Sequence, residues 1–335
     1  MGDNILPYDE ALAWIPLSSV GFLGVYLFFL VSGYVISLTL QSTPNLMEFG
    51  VKRVARLWPT LLVCGSITFL ATSLFGPPEL KRSISEALIS MTLFPPQHVG
   101  AVTGNEGWMW LDGAYWSLWV EVRFYVIIGL IYYIFQNRWL QAWLAFTLIA
   151  LAVSIISLLQ PSGGIEVVKN SLFADYVPMF TVGILAFRFK NKQTKRLDLL
   201  VLGVALLHGL SNILISHEST DTPIATMIGY VILIALFGIF VWRPNWLVWM
   251  EHKHVLRAGR SSYAFYLLHQ VVGISILVLI GSLFGTIASL IALPFVLGAI
   301  LFLSISIFEH IEQPANRWIV SQYKQRSGQM SVSTV

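Results

Sequence analysis

The chain has 335 residues, of which 56% are hydrophobic and only 11% charged, against about a quarter charged in a soluble globular protein. With a mean hydropathy of +0.74 and a net charge of only +3, this excludes a soluble fold and a nucleic-acid partner and points to an integral membrane protein. Cys64 is the single cysteine, so an intrachain disulfide and a cysteine metal cluster are excluded as well.

Apolar runs of bilayer-spanning length, about 20 residues, fall near 19–41, 57–76, 117–136, 139–159, 172–189, 197–216, 223–242, 261–281 and 285–308. The expected fold is therefore all-α: a polytopic helix bundle of about nine strong transmembrane helices. A weaker run at 83–95 opens on Ser83, Ser85 and Glu86 and ends at Pro95-Pro96, which predicts an interfacial or re-entrant helix. Residues 1–18 read as an extracytoplasmic tail, 19–318 as the transmembrane domain and 319–335 as a polar cytoplasmic tail.

Alternation across the nine spans, with the C-terminus inside, places sixteen of the twenty Lys and Arg on inside loops and three outside, with Arg123 within a span. That asymmetry is the positive-inside pattern and orients the chain. Counting 83–95 as a full span would reverse the first loops and put Arg53 outside. The same arithmetic sets the N-terminus outside, on a segment that holds Asp3, Asp9 and Glu10 but no Lys or Arg. It reads as a loop that has lost the helix before it.

Arg53-Val-Ala-Arg56, followed by Leu57-Trp58-Pro59, sets two cations on one helix face. Placed where a membrane helix begins, their charge would add to the positive end of the helix dipole and call for an anion. Anionic lipid and a phosphate-bearing ligand both fit. Farther along, Glu121 is the sole acidic residue well inside a strong span, on one stripe with Ser117 and Tyr125 at i, i+4, i+8. A carboxylate at that depth must face the bundle interior or a wet cavity. It suits a functional site or an ion pair with another helix. Trp108, Trp110, Tyr115, Trp116 and Trp119 crowd the outer end of the same span, beside Asp112. They read as an aromatic interface belt or as a sugar-stacking platform with a hydroxyl-binding carboxylate. Ser262, Tyr266 and His269 share a face at i, i+4, i+7, and His208 lies in a span without such a stripe. Each histidine is either a packing residue or a proton carrier. No phosphate-binding glycine loop, zinc motif or nucleophile elbow occurs.

Taken in order, four stretches resemble the membrane acyltransferase-3 family, which O-acylates cell-surface sugars and other hydroxyl acceptors. They are Gly21 to Tyr34, the Arg53-Val-Ala-Arg56 step, Asp112-Gly-Ala-Tyr-Trp-Ser-Leu-Trp-Val-Glu-Val-Arg-Phe-Tyr125, and Gly259-Arg-Ser-Ser-Tyr-Ala-Phe-Tyr-Leu-Leu-His269. Ile311-Glu-Gln-Pro314 adds a weaker fifth. The resemblance implies a cytoplasmic acyl-coenzyme A, acetyl-coenzyme A above all, as co-substrate rather than a permanent cofactor. It also implies a carbohydrate acceptor, and residence in a bacterial inner membrane. Arg53 and Arg56 would hold the coenzyme phosphates, Glu121 and His269 would serve catalysis, and Asp112, Trp116, Ser117 and Tyr125 would meet the acceptor. The sequence departs from the family in its first helix, which carries an arginine and the principal catalytic histidine; residues 1–18 hold no histidine. A lipid-linked sugar transporter and an inactive, truncated member are the alternatives.

Overall fold

A computed structural model describes residues 21–216 and 223–327, so the expected tail 1–18 lies outside the described residues. These are helical almost throughout, without a strand among them. In chain order the helices are α1 (Leu23–Gln41), α2 (Leu46–Phe75), α3 (Ile84–Ser90), α4 (Pro96–Thr103), α5 (Tyr115–Phe135), α6 (Trp139–Leu159), α7 (Gly163–Ser171) and α8 (Val177–Lys190). They continue as α9 (Arg196–Ser216), α10 (Pro223–Trp242), α11 (Lys253–Arg260), α12 (Ser262–Leu268), α13 (Val271–Phe284), α14 (Thr286–Ile307) and α15 (Gln313–Arg326).

Among the described residues, six helical stretches are long and apolar enough to cross a membrane, or seven if the bent pair α12 and α13 is one span. These lengths do not confirm the expected nine separate spans. One stretch, Tyr115–Leu159, joins two of the expected runs around the short 3₁₀ turn Gln136–Arg138. The run at 172–189 yields only the 14-residue α8, about 21 Å long against about 30 Å of hydrocarbon. Its apolar character comes from burial in protein: Val177 through Phe187 are all buried. The weak run at 83–95 contains only the seven-residue α3, which is too short to cross, as expected. At the C-terminus, helix α15 carries the chain past the expected boundary at 318 to Arg326.

The chain divides into two compact units. One takes the described residues 21–49, 123–216 and 223–249. Its centre is the crossing of α1 and α8, where Gly33 and Gly183 let the two backbones touch. A Cβ on Gly33 would lie 2.2 Å from the Phe180 carbonyl oxygen, and one on Gly183 would lie 2.1 Å from that of Leu30. Small residues at such crossings are how membrane helices gain packing without a hydrophobic driving force. Phe124 stacks on Phe180 at 3.9 Å. The Trp143 indole donates to the Thr181 hydroxyl at 3.1 Å, which also meets Thr147 at 2.9 Å. Gly183→Val is expected to cost about 3 kcal/mol or more and abolish the monodisperse peak in size-exclusion chromatography. Gly24→Ala, with nothing within 4 Å of its Cβ position, leaves that peak intact.

The other unit takes residues 50–122 and 250–327. Its outer loop is held by polar contacts. Ser83 and Glu86 form a capping box on α3, and Glu86 also accepts from the Met109 amide at 2.9 Å. Burial alone would raise the Glu86 carboxyl, but the amides of Met109 and Ser83 outweigh it and hold the group below its usual value. Arg82 Nε donates to the Trp110 carbonyl at 3.1 Å.

Candidate functional site

Helix α2 begins at Leu46, with the Asn45 side chain accepting from the Glu48 amide at 2.8 Å. Arg53 and Arg56 therefore lie two turns and more inside the helix. The dipole falls off within the first turn, so it is not what gathers an anion here. A pocket does. Arg56, Arg260 and Arg317 line a cavity of about 440 Å³ together with Ser262, Glu312 and Asn316. Three guanidinium groups against one carboxylate leave an excess of two positive charges, which suits a phosphate or diphosphate. Arg53 is not among the lining residues. It is half-buried, with its Nε and one terminal nitrogen turned out of solvent. The arginine step is thus split between the pocket and the helix interior.

Two local devices build this cavity. Helix α11 ends at Arg260 and α12 opens at Ser262, with only Ser261 between them, and both residues line the same space. At the other wall a π-helical turn, Phe308–Glu312, interrupts the passage from α14 to α15. Such turns often mark functional sites. It carries Glu312 inward, where Oε2 accepts from the Thr60 hydroxyl at 3.2 Å, and Glu309 outward to Arg257 at 2.5 Å.

From the pocket, α12 leads to a second cluster. Tyr263, one residue past Ser262, donates its hydroxyl to the Leu57 carbonyl at 3.1 Å. Buried Glu121 is within electrostatic reach of both Tyr263 and Tyr266. Tyr266 and Ser117 share a hydrogen bond of 2.7 Å, and both hydroxyls lie 3.0 Å from the Ala114 carbonyl. The expected Ser262–Tyr266–His269 face therefore runs from the arginine pocket to Ser117. At its end the helix breaks: α12 stops at Leu268 and α13 starts at Val271, bent by 49°. Non-helical backbone at membrane depth survives only inside protein or along a cavity. His269 occupies this break. Its Nδ1 is 2.9 Å from the Tyr266 carbonyl, which can only accept, so Nδ1 carries the proton and Nε2 keeps its lone pair. Phe265 stacks on the ring at 5.6 Å.

Asp112 holds the break in place. It is fully buried. One carboxylate oxygen accepts from the Ala114 amide at 2.8 Å and the other from the Val271 amide at 3.2 Å. Val271 is the first residue of α13, so Asp112 caps that helix from a distant loop. Both oxygens are engaged with backbone, which makes this carboxylate a clamp first. Burial pushes it up to about 7, the two amide donors opposing. A carboxyl raised on folding favours the native state while protonated. Stability from this group is full below its usual range and is lost as pH rises through 7. Wild-type thermal midpoints are therefore expected to fall between pH 4 and 7. Asp112→Asn should flatten that slope and, having one acceptor where two are needed, cost about 1–3 kcal/mol at pH 5, read by intrinsic fluorescence in detergent.

The other expected acceptor residues separate. Ser117 is in the cluster, and Trp116 is partly exposed at the start of α5. Trp110 and Tyr115 are buried and pack ring to ring at 6.5 Å, as core rather than platform. Trp119 stands edge-on to Phe94 at 5.3 Å. Tyr125 belongs to the other compact unit, edge-on to Phe49 at 6.4 Å. In that unit too, Arg123 bonds the Asn170 carbonyl and lies over the Phe173 ring at 5.6 Å. Arg260 and Arg317 are the residues that sequence reasoning missed. The charge count placed both on inside loops, but nothing in their spacing tied them to Arg56.

Apolar helices of spanning length, with arginine, glutamate, tyrosine and histidine gathered within one compact unit, define an integral membrane protein with a polar site. The chain matches the acyltransferase domain family over residues 3–309 and belongs to it, as a membrane acyltransferase of the acyltransferase-3 type. It is also similar to an O-acetyl transferase of Shigella phage Sf6, 23% identical over 180 residues, which are 51% of this chain and 50% of that protein. The alignment thus spans about half the length of that relative. No solved structure matches the chain.

Proposed function

We propose that the chain moves an acyl group from cytoplasmic acyl-coenzyme A to a hydroxyl of a surface or lipid-linked carbohydrate. The relative's name favours acetyl. The observation that carries the reading is the pocket of Arg56, Arg260 and Arg317 at one end of the α12 face that ends on His269. Seven residues separate Ser262 from His269, about 10 Å along a helix. A coenzyme anchored by its phosphates at the arginines can extend its thiol arm along such a face.

In this reading His269 Nε2 takes the proton of the acceptor hydroxyl as the new C–O bond forms at the thioester carbonyl. The C–S bond then breaks and the thiolate leaves with a proton. Tyr266 positions the histidine through its backbone carbonyl, Ser117 holds the Tyr266 hydroxyl, and Glu121 supplies negative charge beside Tyr263 and Tyr266. Asp112 holds the helix break, while Trp116, partly exposed at the start of α5, is the aromatic face offered to a sugar ring. The membrane is a bacterial inner membrane with the C-terminus cytoplasmic and the start of the chain outside, as the loop charges suggest. The test is transfer of radiolabelled acetyl from coenzyme A to membrane glycan in vesicles holding the full chain. Label should appear in base-labile O-esters on the glycan. Sugar movement across the membrane without any acylation would replace this reading with transport.

A further inference from the structure

His208 has no place in the acyl-transfer reading, yet it is the most telling polar group of its unit. It sits on α9 with 5% of its surface exposed, and its Nε2 is buried without a hydrogen-bond partner. An imidazole nitrogen in that state is costly unless a ligand completes it. The residue opens onto a groove of about 860 Å³ formed by α6, α7, α9 and the loop before α8, all within one compact unit.

The groove is amphipathic. Leu151, Ile155, Leu158, Val204, Leu207 and Leu214 wall most of it. Several of these face outward, Leu158 by 61% and Leu207 by 70%, as lipid-facing side chains do. Glu166, Lys169 and Asp175 close one end. Lys169 lies 3.3 Å from Asp175 and 3.9 Å from Glu166, so its charge is already shared by two carboxylates. That end therefore carries an excess of negative charge and repels a phosphate headgroup. His208 stands twelve residues into α9, about 18 Å from its Arg196 end, which sets it toward the same side as the charged cap.

We propose that this groove binds a neutral, hydroxyl-bearing glycerolipid. Its acyl chain lies along the leucines of α6 and α9. A hydroxyl or ester oxygen meets His208 Nε2, which can donate or accept in a neutral ring. The remaining hydroxyls donate to the carboxylates of the rim. The site is separate from the arginine pocket and does not depend on the acyl-transfer reading.

The probe is a monoacylglycerol with a diazirine in its chain, presented to the full chain in phosphatidylcholine nanodiscs. Photolabelled peptides are mapped by mass spectrometry. Label should concentrate on residues 151–158 and 204–215, fall with excess unlabelled monoacylglycerol, and drop at least fivefold in His208→Leu. Leu210→Trp, which narrows the groove from its wall, gives the same drop and serves if His208→Leu does not fold. A phosphatidic acid probe of the same chain should label these helices severalfold less. Equal labelling by both probes, labelling unchanged in the folded variants, or label spread evenly over other lipid-facing helices would each overturn the assignment.

Discussion

Replacing Arg56 and Arg260 together with alanine is expected to weaken acyl-coenzyme A binding by ~10²- to ~10⁴-fold, at ~1.5–3 kcal/mol for each charge-assisted contact. Both guanidinium groups line the same 440 Å³ cavity with Arg317. Titration of the purified chain in detergent, by calorimetry or fluorescence, measures this directly. Arg53→Ala is the informative control, because Arg53 is half-buried outside the lining of the cavity. It should lower the thermal midpoint and leave the dissociation constant of the folded protein within about threefold. A lipid-anchoring role for the arginines predicts the opposite pattern, in which loss of either cation weakens association with anionic vesicles while coenzyme binding is unchanged. Binding that survives the double substitution would remove the donor site from this pocket. The expected loss is also salt-dependent, because three guanidinium groups against Glu312 act through net charge as well as through individual hydrogen bonds.

Much of the architecture follows from composition. Runs of about 20 apolar residues have few stable alternatives to a membrane helix, so α1, α9, α10 and α14 lie close to where their sequences place them. Helix α8 was legible as apolar but not as short. A run buried in protein and one buried in lipid share a composition, and only length and neighbours separate them. The arginine pocket was half legible. Arg56 is visible in its two-arginine step, whereas Arg260 and Arg317 reach it through the packing of α11 and α15, which spacing does not encode. The π turn at Phe308–Glu312 was hidden for a similar reason, since adding one residue to a helical turn leaves no compositional trace. His269 was found by its polar stripe, yet the break beneath it was not. In retrospect the polar pair His269-Gln270 in an apolar run, with Gly273 close behind, is its signal, and the Asp112 clamp across 159 residues of chain is the tertiary contact that realises it. Asp112 itself was legible as important but for another reason. A carboxylate beside tryptophans reads as a sugar ligand until both its oxygens are seen on backbone amides.

The second large effect is expected at the break. Loss of a general base costs ~10²- to ~10⁴-fold in rate, and His269→Ala should lower kcat by that factor with the KM for acyl-coenzyme A nearly unchanged. The Tyr266 carbonyl fixes the tautomer at 2.9 Å and the Phe265 ring fixes the plane at 15°, so the lone pair on Nε2 has a defined direction. The arginine pocket lies at the other end of α12, so in the proposed reaction donor binding is separate from proton transfer. A purely structural histidine would behave differently, lowering the thermal midpoint and raising KM along with the fall in kcat. Free imidazole should restore part of the alanine variant's turnover if Nε2 acts on the acceptor hydroxyl. Tyr266→Phe tests the support of that nitrogen: it keeps the backbone carbonyl that fixes Nδ1 and removes only the hydroxyl bonded to Ser117. Its expected loss in kcat is therefore about tenfold, the effect of about 1.4 kcal/mol on a barrier. A loss in Tyr266→Phe equal to that of His269→Ala would shift the proton-transfer role from the histidine to the Ser117–Tyr266 pair.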